Sequence, residues 1–120
     1  MLEFPFPAGL PVGPGWVDGL PTEDVIFPFD GSVVAPAPVG DEETAGRALE
    51  EALAVRKEVE SLPSHVRRAA LLGAHTALAA DRDRIEQLLV LETGKPLRDC
   101  RVEMDRTLLT LVTAAEEVAR

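Results

Sequence analysis

The heptapeptide Leu91-Glu92-Thr93-Gly94-Lys95-Pro96-Leu97 sets a glycine beside a lysine between two helix-patterned stretches. A phosphate-cradling loop would use that pair, but it also needs a glycine five residues earlier and a Ser or Thr after the lysine. Leu89 and Pro96 hold those places, so the phosphate loop is excluded. No G-x-G-x-x-G opens a strand–helix unit, and the chain has no dinucleotide fingerprint of its own. Cys100, the single cysteine, would need a base in reach to act as a nucleophile. The only histidines, His65 and His75, fall on a different helix-patterned stretch. Cys100 therefore reads as a small packing residue, as free cysteines tend to be. Two histidines also fall short of the three or four converging donors that zinc requires. Glu92, Asp99, Glu103 and Asp105 could do carboxylate chemistry. With Arg101 beside Asp99, and Arg106 three residues after Glu103, they read instead as charge pairs on wet helix faces, as do Glu116 and Glu117. No residue qualifies as catalytic or cofactor-binding.

The elements that carry these residues are punctuated clearly. Gly94 suits the position just past a helix because it tolerates positive φ, and Lys95 places a cation at the negative end of the helix dipole. Pro96 fits the first turn of the next helix, where its missing N–H leaves no bond unmade. From Asp41 onward the period is helical. Asp41 is a good N-cap with Glu42 and Glu43 in the first turn. Ala45, Ala48, Leu49, Ala52, Val55 and Val59 then mark one face. Leu62-Pro63-Ser64 breaks this helix and starts a second through Val66, Ala69, Ala70, Gly73 and Ala77. Asp81 caps a third with Ile85, Leu88, Leu89 and Leu91. A fourth carries a narrow stripe of Met104, Leu108, Leu111, Ala115 and Val118, which is expected to be exposed and to want a mate. It runs to Arg120 without a stop signal, so the chain reads as cut.

Residues 1–40 differ sharply, holding eight of the ten prolines and six of the nine glycines. Such a segment is not helical. Short extended pieces are expected at 15–18, 24–27 and 32–35, with Phe29-Asp30-Gly31-Ser32 supplying hairpin turn chemistry. Trp16 is expected to anchor this arm on a neighbouring surface. The division is thus a Pro/Gly-rich arm over 1–40 and a helical portion over 41–120, mainly α with about four helices and short N-terminal strands. There is no internal repeat.

Composition narrows the partners. Twelve Lys and Arg against 21 Asp and Glu leave a net charge of −9. That disfavours nucleic acid and anionic membrane, both of which demand basic patches. No apolar run reaches the roughly 18 residues of a membrane span, and no basic region leads an apolar one at the N-terminus. The lone cysteine leaves no internal disulfide and fits a reducing cytoplasm.

Several words resemble the N-terminal part of NAD(P)-dependent aldehyde dehydrogenases. They are Trp16-Val17-Asp18-Gly19, Phe27-Pro28-Phe29-Asp30-Gly31-Ser32-Val33-Val34 (with Phe27 where the family usually has Asn), and Leu62-Pro63 followed by Arg67 and Arg68. The most specific is Glu92-Thr93-Gly94-Lys95-Pro96-Leu97 with Asp99, Glu103 and Arg106, extended by Ala114-Ala115-Glu116-Glu117. The resemblance covers 15–120 and implies the arm and first helices of the cofactor domain of an α/β dehydrogenase. It implies a complete enzyme that oxidises a small aldehyde to an acid through a cysteine thiohemiacetal, passing hydride to NAD or NADP. The same resemblance implies a homo-oligomer whose nucleophile, base and cofactor strands lie downstream of 1–120. Cys100 does not match the family's catalytic cysteine. Glu92 matches a position where some members place a carboxylate in a monovalent-cation site, together with backbone carbonyls near 26–27. The alternative, from a different class, is a stand-alone helical interaction or assembly module.

Overall fold

The computed structural model describes residues 8–118. Its elements are β1 (Leu10–Val12), β2 (Gly15–Val17), β3 (Thr22–Ile26), β4 (Val33–Pro38), α1 (Glu42–Ser61), α2 (Ser64–Ala80), α3 (Arg82–Thr93) and α4 (Leu97–Glu117). Four helices after short strands match the order read from the periodicity. The chain separates into two units, Met1–Ile26 with Gly31–Glu60, and Phe27–Asp30 with Ser61–Arg120.

In the first unit two antiparallel ribbons precede α1. β1 pairs with β2 from Leu10↔Val17 to Val12↔Gly15, closing on Gly13-Pro14. β1 was not anticipated, because Leu10-Pro11-Val12 is too short and too rich in proline around it to show a period of two. β3 pairs with β4 from Thr22↔Pro38 to Ile26↔Val33, with an irregularity between Val25 and Ile26. The Asp30-Gly31 turn is confirmed in kind but not in tightness. Residues 27–32 connect the strands, and Gly31 takes φ 76°, a conformation that side chains disfavour. Trp16, expected to anchor the arm, is 58 % exposed.

α1 begins as its sequence directs. One Asp41 side-chain oxygen, Oδ1, accepts from the Thr44 N–H at 2.8 Å and from the Thr44 hydroxyl at 2.7 Å. Thr44 is the one buried residue of that helix. These bonds favour the ionised carboxylate, the N–H bond most, and hold the Asp41 pKa below its ordinary value. A carboxyl group with a lowered folded pKa stabilises fully above about pH 4, its unfolded value. That contribution fades as pH falls through the lowered folded value. Asp41→Ala is therefore expected to lower the melting temperature at pH 7 and to leave a smaller difference from the parent near pH 2. Paired thermal melts followed by circular dichroism check this; an equal difference at both pH values would contradict it. The remaining face of α1 stays open, with Leu49, Leu53, Val55 and Val59 all exposed.

The second unit is built on α4, which packs against α2 and α3. Cys100, Met104 and Ala115 are buried, and Leu108, Leu111 and Val118 are half-buried on the same face. This corrects the expectation of an exposed α4 stripe. The stripe is the seam on which the helical unit closes, and Val102 and Leu109 occupy the exposed side instead. Cys100 continues the seam by one turn, as i and i+4 side chains share a helix face.

Candidate functional site

The α3–α4 corner carries the residues singled out by type and spacing. Gly94 ends α3 in the left-handed region at φ 69°, with its N–H donating to the Val90 carbonyl at 2.8 Å. A Cβ there would meet the Pro28 ring, with its nearest atom at 3.2 Å. Conformation and proximity both select glycine. Pro96 sits at φ −57°, ψ 140°, one residue outside α4 rather than in its first turn, and its carbonyl accepts from the Cys100 N–H at 3.2 Å. The residue pair that could have cradled a phosphate is thus a helix stop followed by a helix start.

Charges here pair across the corner as well as along the helices. Lys95 Nζ meets Glu103 Oε1 at 2.5 Å, and this hydrogen bond raises the lysine pKa. Asp99 pairs with Arg98 at 3.3 Å. Both observations correct the expected pairing of Glu103 with Arg106 and of Asp99 with Arg101. Arg101 turns instead toward Glu86, at 3.5 Å. Only Arg101 is drawn across to α3, which packs against α4; Glu103 is taken from the connection by Lys95 and Asp99 by its chain neighbour Arg98.

Glu86 is the residue that sequence reasoning missed. Only 3 % exposed, it receives Arg82 Nε at 2.6 Å as well as Arg101. Arg82 also reaches Asp105 through Nη1 at 2.8 Å and donates from Nη2 to the Arg101 carbonyl at 3.4 Å. Glu86 first and Asp105 second raise the Arg82 pKa. The available signal was the i,i+4 spacing of Arg82 and Glu86, identical to that of any exposed pair on a wet face. A buried carboxylate held between two guanidinium groups ties α3 to α4 and has no open side for proton transfer. Its role is to position helices.

The other candidates do not converge. Cys100 is fully buried as a free thiol, with Sγ 4.0 Å from the Lys95 carbonyl oxygen. His65 is exposed and His75 half-buried, both on α2. Asp81, expected to cap α3, makes no side-chain capping bond and instead pairs with Arg84 at 3.7 Å. Glu92 lies exposed in the last turn of α3. Among the described residues no three His, Cys, Asp or Glu side chains come together to hold a metal, and no helix is long and apolar enough to cross a membrane.

Comparison with known proteins gives this arrangement a context. The sequence profile of the aldehyde dehydrogenase family matches residues 16–120. The chain is 39 % identical over 85 residues to 3,6-anhydro-alpha-L-galactose dehydrogenase of Streptomyces coelicolor, a match covering 70 % of this chain and 17 % of that protein. It is 27 % identical over 92 residues to lactaldehyde dehydrogenase of Methanocaldococcus jannaschii, covering 77 % and 20 %. The crystal structure of aldehyde dehydrogenase 21 from Physcomitrella patens, in complex with the reaction product succinate, superposes with a TM-score of 0.88. That match is 28 % identical and covers 96 % of this chain and 24 % of the other. The chain spans about a fifth of the length of these curated relatives.

Proposed function

This chain belongs to the aldehyde dehydrogenase family, and on that premise we propose that it forms the N-terminal part of an NAD- or NADP-dependent enzyme oxidising a small polar aldehyde to its acid. The observation that carries this reading is the superposition of almost the whole chain on about a quarter of a solved dehydrogenase. In the proposed division, 1–40 is an extended arm and 41–120 the helical opening of the cofactor domain. Lactaldehyde, the substrate in one relative's name, is of the small polar class proposed. The enzyme works in the cytoplasm as a homo-oligomer, and this chain's partner is the remainder of the dehydrogenase.

The segment contributes scaffold rather than chemistry. It has no G-x-G-x-x-G turn for a cofactor phosphate, and its one thiol is sealed in the helical seam. No step of the reaction is routed through its residues. The purified chain is expected to give no reduced nicotinamide above background with lactaldehyde and either NAD or NADP. Turnover by this chain alone would overturn the scaffold assignment. The competing reading, a stand-alone interaction module, rested on an exposed Met104–Val118 stripe, whereas Met104 and Ala115 are buried and Leu108, Leu111 and Val118 half-buried where α4 packs on α2 and α3.

Glu92 is the one ligand candidate we retain, as an oxygen donor to a monovalent cation in the complete enzyme. Potassium is expected to raise the melting temperature of that enzyme relative to tetramethylammonium at equal ionic strength, and Glu92→Gln to abolish the difference. Equal melting temperatures in the two salts would remove the site.

A further inference from the structure

The β3–β4 ribbon has two unlike edges. The Val39 N–H donates to the Pro21 carbonyl at 2.8 Å. The register then pairs Thr22 with Pro38, Glu23 with Ala37, Asp24 with Pro36 and Val25 with Ala35. Opposed residues in an antiparallel ladder alternate between pairs that bond each other and pairs whose backbone groups point away. With 21 and 39 a bonding pair, 23/37 and 25/35 also face inward. Thr22, Asp24, Pro36 and Pro38 therefore face outward. The outer edge of β4 meets a neighbour with two prolines, which have no N–H to give. Such an edge refuses another strand. The outer edge of β3 presents the N–H and C=O of both Thr22 and Asp24, and the sheet has no third strand among the described residues.

We propose that the outer edge of β3 is a strand-addition site, filled by a strand from the part of the complete dehydrogenase outside residues 1–120 and carrying Lys or Arg opposite Glu23 and Asp24. This rests on the family reading above. An isolated two-stranded ribbon is marginal in water, and a third strand stabilises it. The matched relatives hold about four-fifths of their length outside the region this chain covers. Glu23 and Asp24 are exposed, and like charges placed directly opposite in a ladder repel. A second copy of this chain, paired β3 to β3 about Glu23, would set the two Glu23 carboxylates directly opposite one another. The net charge of −9 disfavours that approach as well. A basic strand meets neither objection.

Amide hydrogen exchange on the polypeptide encoded by the complete reading frame tests this. A ribbon paired only to β4 protects Glu23 and Val25 while Thr22 and Asp24 exchange freely. A β3 flanked on both sides protects all four, and their rates are expected to agree within roughly tenfold. Asp24→Pro, which removes one outward N–H and leaves the pairing to β4 intact, is expected to release Thr22 while Val25 stays protected. Thr22 and Asp24 exchanging about a hundredfold faster than Glu23 and Val25 would overturn the proposal. Protection of Thr22 and Asp24 that vanishes on dilution would assign the edge to a second copy, and likewise overturn it. A frame that ends at Arg120 removes the family-fragment reading and the occupant together, a failure visible before any exchange is measured.

Discussion

Met104→Ala is expected to unfold the helical unit of the isolated chain at 25 °C. Met104 is 3 % exposed at the middle of the seam, between the fully buried Cys100 and Ala115. Truncating a buried methionine to alanine costs about 3 kcal/mol, because the lost transfer energy is compounded by the cavity left behind. Few other side chains are available to absorb that loss. The buried apolar residues across the described chain are Val12, Ala35, Cys100, Met104 and Ala115, and three of these five are small. With so thin a core the unit falls below the roughly 5 kcal/mol at which ordinary domains begin, and under about 3 kcal/mol a change of this size inverts the folded ratio. Urea titration followed by far-ultraviolet circular dichroism reads the result. Leu109→Ala, on the exposed side of the same helix, serves as the control and is expected to shift the midpoint little. A Met104→Ala midpoint within error of the parent would show that the α4 seam does not hold the unit together.

The second large effect concerns Glu86, and its test is the asymmetry among substitutions. Glu86→Ala removes an acceptor of charge-assisted hydrogen bonds and leaves a gap beneath α4, a loss of about 2 kcal/mol. Arg82→Met is expected to be more disruptive than Glu86→Leu, although each deletes the same ion pair. With Arg82 gone, a carboxylate 4 % exposed keeps only Arg101 at 3.5 Å. With Glu86 gone, the arginines that remain still reach water, since their side chains are 34 % and 61 % exposed. A stranded buried charge is worse than a stranded wet one. The double variant Arg82→Met with Glu86→Leu is expected to recover much of the loss, because apolar replacement of a buried pair is often neutral or better. Chemical denaturation of the four proteins supplies the double-mutant cycle. Equal effects of Arg82→Met and Glu86→Leu would show that the Glu86 carboxylate finds another partner or water.

Both predictions concern residues that local sequence rules treat unevenly. Met104 was legible as apolar and in phase with Leu108 and Leu111, but its stripe looked like a surface awaiting a partner. α2 and α3 supply that partner, and nothing local to α4 says so. Glu86 was not legible at all. Local rules do not distinguish Arg82 and Glu86 from an exposed pair, because i,i+4 spacing is blind to what lies above the helix. The expected pairings of Glu103 with Arg106 and of Asp99 with Arg101 failed because Lys95 of the connection takes Glu103, Arg98 takes Asp99 and Glu86 of α3 takes Arg101.

What the amino-acid sequence determined by itself was the punctuation and the identity. Pro63, Gly94 and Pro96 place the helix boundaries because φ restrictions and a missing N–H act within a residue or two. Asp41 starts α1 because its side chain needs to reach only as far as Thr44. The Glu92-Thr93-Gly94-Lys95-Pro96-Leu97 word carried the family for the same reason, being contiguous. Only the tertiary structure decided which apolar stripe is core and which charge is buried. It buries the α4 seam, leaves Leu49, Leu53, Val55 and Val59 of α1 exposed, and seals Glu86 between two arginines. Burial is a property of what a second element covers. Two stripes of equal period remain indistinguishable until the chain folds back on one of them.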